Sequence, residues 1–536
     1  MKSGLRCRID PVARVPVQST PVHQRMAPAP VGQSGETVTV VIVGAGPVGL
    51  TAALDLGQRG YRVVVLNKLA FIAGGSKAIC FSKRTLDIWN RLGVAGEMVE
   101  QGVVWNVGKV FRGSRPDPIY EFDLQSEEAQ EMPAFINLQQ YHVEARLVAA
   151  LEELSAVEIR WGHEVTAFDA ATRTLTIVTD GGTYLLNADW LLACDGSRSP
   201  VRTMMGLDFD GRVFEDNFLI ADVRFNDERP TERWFWFDPP WGGASALLHK
   251  QPDDVWRLDF QLGCGIDRER AVRPENVAHH VRGMIGADAV FQEEWVSVYT
   301  FQCRRMRRFV HDQVVFLGDS AHLVSPFGAR GCNGGIADAD NLCWKLDAVL
   351  TGQSGSDLIE TYNFEAIIAA DENILNSTRS TDFLTPKSKV SRALRDAVLD
   401  LAETQPFARP FVNSGRLSAP ISFPQSPLTT ADRDSWEGGI SPGSPAIDAP
   451  LLDGWLLQRL IGKWHLLAVS AIPDSPLPVV ILDTEAARNC YDLGERGACL
   501  VRPDQYVAAR WRAFALKDLE ATAWSPSERE LLRWHA

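Results

Sequence analysis

Between residues 38 and 68 the chain reads VTVVIV, GAGPVG, LTAALDLGQRG, YRVVVLNK. An apolar run of strand length enters a glycine turn, a stretch of helix length follows, a glycine at position 60 stops it, and a second apolar strand begins. Few folds accept that order. It predicts two adjacent parallel strands joined by a crossover helix, the opening unit of a doubly wound α/β sheet. Gly44 permits the tight turn, Gly46 lets the backbone come close to a pyrophosphate, and Gly49 lets the helix pack on its strand. Pro47 and Val48 begin the helix, whose free N–H groups aim at the phosphates, so all five residues are expected to hold a dinucleotide. Such a unit ordinarily ends its second strand in an acid that bonds the ribose, and here Asn67 and Lys68 stand in that place. An amide can still bond a ribose hydroxyl, and a lysine favours a phosphate, so this unit alone also admits an NADP-type dehydrogenase.

A chain of 536 residues has room for about three or four domains. Its 45% hydrophobic and 23% charged residues are those of an ordinary globular protein. The net charge of −14 argues against nucleic acid or an anionic membrane as the main partner. No apolar run approaches the roughly 18 residues of a spanning helix. Nine cysteines without a C-x-x-C indicate neither a metal site nor a disulfide scaffold, and a cytoplasmic location fits them best. Residues 1–36, rich in Pro, Gln, Ser and Val, lack the apolar segment of a secretory signal and are expected to form a disordered tail, with Met26 as an alternative start.

Two further strands end in acids. Ala188 to Ala193 runs through Cys194 into Asp195, Gly196, Ser197 and Arg198, and Val314 to Leu317 runs into Gly318, Asp319, Ser320, Ala321 and His322. The second is followed by Pro326, Phe327, Gly328, Ala329, Arg330, Gly331, Cys332 and Asn333. With the glycine turn, these motifs resemble the class A flavoprotein monooxygenases, the family of para-hydroxybenzoate hydroxylase and phenol hydroxylase, over about residues 38–380. The resemblance implies FAD as the cofactor, its pyrophosphate on Gly44, Gly46 and Gly49, with Asp195 and Gly196 serving FAD and the nicotinamide, and Gly318 and Asp319 binding the ribityl chain. It also implies that Gln140 contacts the flavin, that Pro326, placed at the catalytic centre, and Asn333 flank its ring, and that Gly331 helps bind the cofactor. Lys77 stands where the family commonly has an arginine near the pyrophosphate, keeping the charge and losing the fork. Beyond Gly335, apolar residues 339, 342, 343, 346 and 350 predict a helix with Asp338 and Asp340 in its opening turns and its positive end toward the glycine loop.

Between 207 and 300 the pattern alternates. Trp256, Leu258, Phe260 and Leu262 share one face of a strand while Arg257, Asp259 and Gln261 share the other, which predicts an antiparallel sheet with one buried face. Arg233, Trp234, Phe235, Trp236 and Phe237 are aromatic on both faces, so that strand is covered on both sides or lines a cavity. In the resembled family such a sheet covers the substrate. His249 and Tyr141 are the candidates to relay a phenol proton. A Pro/Ser/Gly-rich stretch at 420–450 reads as a linker, and the Leu500-Val501-Arg502-Pro503-Asp504 segment resembles the end of the thioredoxin-like domain of the phenol hydroxylase branch, here without C-x-x-C and with a structural or dimerising role.

The expected fold is therefore α/β: a Rossmann-type FAD-binding domain (37–206 and 301–385) with an inserted antiparallel substrate sheet (207–300), a helical and linker segment (386–440), and a thioredoxin-like domain (441–536). The expected activity is hydroxylation of a small aromatic substrate with NADH or NADPH and O2, through a flavin C4a-hydroperoxide, in a protein compatible with a homodimer. Two other readings compete. One is an FAD-binding sensor or scaffold without turnover; the other is a flavin halogenase, because Trp234 to Pro239 partly matches a W-x-W-x-I-P signature that Arg233 and Asp238 break.

Overall fold

The computed structural model describes residues 12–14, 35–72, 77–123, 130–263, 265–412 and 418–522. Its first layer is a mainly parallel sheet. Glu36–Val43 lies between Val63–Asn67 and Gly182–Ala193, with Val157–Trp161 beyond the former and Val314–Phe316 beyond the latter, all parallel. Val, Ile and Leu dominate these strands, and Val40, Ile42, Val64, Leu66, Leu191 and Leu192 are buried at the centre of the sheet. Pairing of Ala193 with Val43 on one side and with Phe316 on the other brings three distant turns to one edge of the sheet: Gly44, Cys194 to Gly196, and Gly318 to Asp319. That carboxyl edge is where open α/β sheets bind ligands.

The helix Pro47–Gln58 packs against a long helix, Arg330–Leu350. A Cβ on Gly335 would lie 2.6 Å from Val48 Cγ2 and 3.0 Å from Gly318 Cα, so the approach of both helices and the Gly318 turn depends on a missing side chain. This long helix starts earlier than its apolar spacing predicts, at Arg330 behind Ala329, whose φ is 54°. Asp338 and Asp340 are consequently two turns inside and do not complement the helix dipole. Asp338 instead accepts from the Gly318 N–H at 2.9 Å and from His322 Nε2 at 2.7 Å, while Asp340 pairs with Arg84 and Arg91.

The second layer is an antiparallel sheet of Phe291–Arg305, Asp210–Phe225, Val255–Gly263, Ser245–Lys250 and Glu232–Phe237. It reaches outside the expected 207–300 insert. Val107–Arg112 joins in parallel to Glu232–Phe237 and Tyr120–Asp123 extends it, and at the other edge Val12–Arg14, from the stretch expected to be disordered, pairs with Phe291–Arg305. One face carries Trp234, Trp236, Trp256, Leu258 and Phe260 and packs on Val277, Val281 and Met284 of the helix Pro274–Ile285. The alternate residues face inward, toward the parallel sheet.

Helices Asp357–Leu384 and Lys389–Thr404 follow, the latter burying Leu399 and Ala402 against Phe237 and Leu247. The C-terminal unit holds a four-stranded sheet in the order Val479–Ile481, His465–Ala468, Ala498–Val501, Val507–Trp511. The Leu-Val-Arg-Pro-Asp segment docks it. Arg502 spans both oxygens of Glu365 at 2.6 and 3.0 Å and also binds Asp504, while Arg84 donates to the Asp504 carbonyl and to Gln505.

Candidate active site

A single cavity of about 1480 Å³ opens between the carboxyl edge of the parallel sheet and the inward face of the antiparallel sheet. One end is built from turns. Gly44, Gly46, Pro47, Val48, Asn67, Lys68, Lys77, Gln140, Asp195, Gly196 and Asp319 all line it. The three glycines of the first turn differ in what they do. A Cβ on Gly44 would sit 2.3 Å from the Cys194 carbonyl, at a φ of 109° that itself favours glycine, and a Cβ on Gly49 would sit 2.1 Å from the Gly44 carbonyl. Gly46 has an ordinary φ of −85° and no protein atom within 4 Å of a Cβ. Nothing in the protein asks for glycine there; the open space at a helix N-terminus suits a phosphate.

Asn67 lines the cavity but its amide is engaged locally, Oδ1 accepting from the Ala45 N–H at 3.4 Å and Nδ2 donating to the Leu69 carbonyl at 3.0 Å. It ties the second strand to the glycine turn. Asp195 accepts from the Val201 N–H through Oδ2 at 3.0 Å, whereas its buried Oδ1 has no partner. A buried acceptor without a donor is costly, and a ribose or ribityl hydroxyl is the kind of group that would satisfy it. Arg202 joins the two acid-bearing turns, donating to the Ser320 carbonyl at 2.7 Å and to the Ser197 carbonyl at 2.8 Å. Burial raises the carboxyl of Asp319 above its usual range, against the charges of Lys77 and His322. Open glycine, unpaired acceptor and buried acid together fit FAD.

Gln140 opens the helix Gln140–Glu152, accepts from the Ala78 N–H at 3.1 Å and donates to Glu144 at 2.8 Å. It thereby fixes the segment that carries Lys77. Sequence reasoning missed Glu144. Its carboxyl also lines the cavity and is pushed up to about 7 by burial, partly offset by Gln140 and Lys77.

Four expected site residues stand behind the wall. Gly49 and Gly318 shape the turns without lining the cavity, as the crossings above explain. Asn333 is a correction: its Oδ1 accepts from the Ser82 N–H and the Thr85 hydroxyl, and its Nδ2 donates to the carbonyls of Cys80 and Ala329. With its amide so engaged, it braces the strand Cys80–Ser82 against the start of the long helix. Tyr141 is a second correction, since its half-buried ring packs on His142 with centroids 4.6 Å apart and does not reach the cavity. Pro326 and Gly331 do line it, on the loop leading into that helix.

The other end of the cavity is the inward face of the antiparallel sheet. Period-two alternation puts Phe235 and Phe237, Leu247 and His249, Arg257 and Asp259 there, with Arg233 on the same strand as the two phenylalanines. The polar side of Val255–Gly263, which a simple alternation would leave in solvent, is buried and faces the cavity. Arg257 is neutralised by Asp222 through two bonds of 2.8 and 2.7 Å. His249 lies 3.4 Å from Asp259 through Nε2, its Nδ1 is buried without a partner, and burial together with the Arg233 charge lowers its pKa to about 4. The imidazole is therefore neutral at pH 7. Trp234 and Trp236, the halogenase-like pair, point away into the sheet–helix core, Trp236 stacking on Phe111 at 4.6 Å.

A family profile described as an FAD binding domain matches residues 37–377. A 3-(3-hydroxy-phenyl)propionate/3-hydroxycinnamic acid hydroxylase from Comamonas testosteroni is 32% identical over 68% of this chain and 62% of its own length. A protein of that same name from Mycolicibacterium gilvum is 26% identical over 88% of this chain and 89% of its own length. A probable NADH-specific resorcinol 4-hydroxylase from Rhodococcus jostii is 32% identical over 63% of each chain. Among solved structures, the flavin-dependent monooxygenase PieE superposes with a TM-score of 0.75 over 90% of this chain and 97% of its own, at 22% identity. The p-nitrophenol 4-monooxygenase PnpA from Pseudomonas putida DLL-E4 gives 0.62 over 72% of this chain and all of its own, at 25% identity.

Proposed function

Since the chain belongs to the FAD-binding domain family, we propose that it is an FAD-dependent monooxygenase that hydroxylates a phenolic or related aromatic compound with NAD(P)H and O2. The observation that carries this is the continuity of one cavity, from a dinucleotide cradle at the carboxyl edge of a parallel sheet to a buried chamber walled by Phe235, Phe237 and His249. Relatives named as hydroxylases of hydroxyphenyl compounds and of resorcinol support the ring chemistry.

Gly44, Gly46, Pro47 and Val48 would hold the FAD pyrophosphate, Asp195 and Asp319 its hydroxyl-bearing chains, and the loop from Pro326 to Gly331 would flank its ring. When bound, FAD supplies the passage of electrons from NAD(P)H to O2, chemistry that no side chain can provide. The chain's own residues do the rest. The N-terminus of the helix Arg330–Leu350 offers N–H groups to negative charge at its end of the cavity. His249, neutral, accepts a hydrogen bond from the phenolic hydroxyl at Nδ1 and so orients it, and Asp259 at Nε2 holds the tautomer that leaves Nδ1 as the acceptor. The buried aromatic wall keeps water from the reacting atoms and holds the ring in place.

We also read the C-terminal four-stranded unit as thioredoxin-like and structural. Without C-x-x-C, and with the Cys499 thiol buried and pushed up to about 12, it lacks the means for disulfide exchange. The protein is proposed to work in the cytoplasm; among the described residues no helix is long and apolar enough to cross a membrane.

The test is oxidation of NADH and NADPH by the FAD-loaded protein against phenols, hydroxybenzoates and hydroxyphenylpropanoates, with peroxide measured beside product. A compound that stimulates oxidation many-fold with little peroxide supports the assignment. Loaded enzyme that no ring compound stimulates contradicts it.

A further inference from the structure

The inward face of the antiparallel sheet carries two buried arginines, and only one of them is neutralised. Arg257 has Asp222 in a two-pronged pair. Arg233, 8% exposed, forms no ion pair among the described residues, and its buried Nε has no hydrogen-bond partner. What surrounds it is apolar or weakly polar. The ring of Phe235 lies 4.9 Å and that of Trp105 5.3 Å from the guanidinium carbon, and the Cys80 thiol is its hydrogen-bonding neighbour. The carboxylate that acts on it from a distance, Asp259, sits 3.4 Å from His249. The pairing of Trp234 with Leu248 sets position 233 opposite 249, so the unpaired cation and the neutral imidazole lie side by side on the cavity wall.

A guanidinium out of water without a counter-ion is among the most costly groups a fold can bury. It does no visible work for the fold: Arg233 bonds no backbone carbonyl and ties no two elements through an ion pair among the described residues. Its planar fork matches a carboxylate, and Arg233 lines the cavity together with Trp105 and Phe235, the two rings nearest its guanidinium. We propose that Arg233 is a specificity-determining residue that binds the carboxylate of the substrate, so that the substrate class is an aromatic acid rather than a simple phenol. This rests on the hydroxylase reading and deepens it. The substrate enters with its acid on Arg233 and a phenolic hydroxyl within reach of His249 Nδ1, and its negative charge takes the place that a protein carboxylate fills at Arg257.

The experiment titrates FAD-loaded enzyme, followed by perturbation of the flavin absorbance, with matched pairs: 3-(3-hydroxyphenyl)propanoate and its carboxamide, 4-hydroxybenzoate and 4-hydroxybenzamide. A charge-assisted fork predicts that the favoured acid binds roughly tenfold to a hundredfold more tightly than its amide. In Arg233→Met that ratio collapses towards one; in Arg233→Lys it falls part of the way. Equal binding of acid and amide to the wild type overturns the proposal, and this comparison needs no variant to fold. An acid preference undiminished in a FAD-loaded Arg233→Met also overturns it. The two readings separate in the same tubes. Arg233-dependent binding of an acid that never stimulates NAD(P)H oxidation keeps the carboxylate site and sinks the hydroxylase. Turnover of neutral phenols with no preference for acids does the reverse.

Discussion

Gly46 and Gly49 belong to one glycine turn, yet the structure gives alanine opposite consequences at the two positions. At Gly46 the backbone is in a region open to any residue, and no protein atom lies within 4 Å of an added Cβ. Gly46→Ala should leave the apoprotein's thermal midpoint within a few degrees of wild type, with a stability change of roughly ±1 kcal/mol, because it also restricts the unfolded chain. FAD, however, would meet a methyl group where its pyrophosphate must touch the backbone, so its dissociation constant should rise at least about tenfold, equivalent to about 1.4 kcal/mol. At Gly49 the added Cβ would lie 2.1 Å from the Gly44 carbonyl, with Cys194 Cβ and Ile42 Cγ2 at 3.2 Å. Those neighbours are a turn and a buried strand that cannot yield. Gly49→Ala should therefore destabilise the apoprotein itself by about 1–3 kcal/mol or more, the range for overpacked sites. Thermal unfolding of the two apoproteins and flavin-fluorescence titration of both would separate the cases. Equal loss of apoprotein stability in the two variants, or unchanged FAD affinity in Gly46→Ala, would refute the assignment of that open space to a ligand.

Three further outcomes are expected. Glu365→Ala leaves Lys345 a buried cation without its carboxylate and Arg502 with Asp504 alone, and should lower stability by about 3–5 kcal/mol, read as a lower urea midpoint. His249 has a folded pKa of about 4 against an ordinary 6.5, so the unfolded chain binds the extra proton and stability falls as pH drops through that window. The loss amounts to about 3 kcal/mol at full effect, and urea midpoints of His249→Gln should be less steep between pH 6.5 and 4 than those of wild type. Glu144, pushed up to about 7, works with the opposite sign, its protonated form being favoured by the fold. Stability should decline as pH rises from 4.5 through 7, and Glu144→Gln should flatten that slope.

Much of this was legible in the chain because the cofactor end is made of local motifs. A buried strand followed by glycine or an acid announces itself within ten residues, and three such strands, at 43, 193 and 316, were enough to expect one edge. What the sequence hid is what register and neighbours decide. Arg257 and Asp259 looked like the solvent side of an alternating strand, because alternation reveals that two faces differ but not what the polar one meets. That Arg257 has a counter-ion in Asp222 is decided by the pairing of neighbouring strands, a contact 35 residues apart in sequence, and that Arg233 has none among the described residues is equally invisible in its local sequence. Asn333 sits in a motif that suggests a flavin contact, yet its partners Ser82, Thr85 and Cys80 lie about 250 residues away. The start of the long helix was missed for a local reason: Gly331, Gly334 and Gly335 weaken the helical signal over its first two turns, and the missing side chain of Gly335 is what permits the close approach to Val48 and Gly318.

The most direct test of the central claim is the origin of the oxygen in the product. FAD-loaded enzyme, NAD(P)H and the ring compound that best stimulates its oxidation are incubated under ¹⁸O₂ in ordinary water, and the product is weighed by mass spectrometry. The account predicts a product two mass units heavier than its ¹⁶O counterpart, with one labelled atom per ring and one nicotinamide oxidised per product. A product whose new oxygen comes from water, or nicotinamide oxidation that yields only peroxide with every compound that binds, would contradict it.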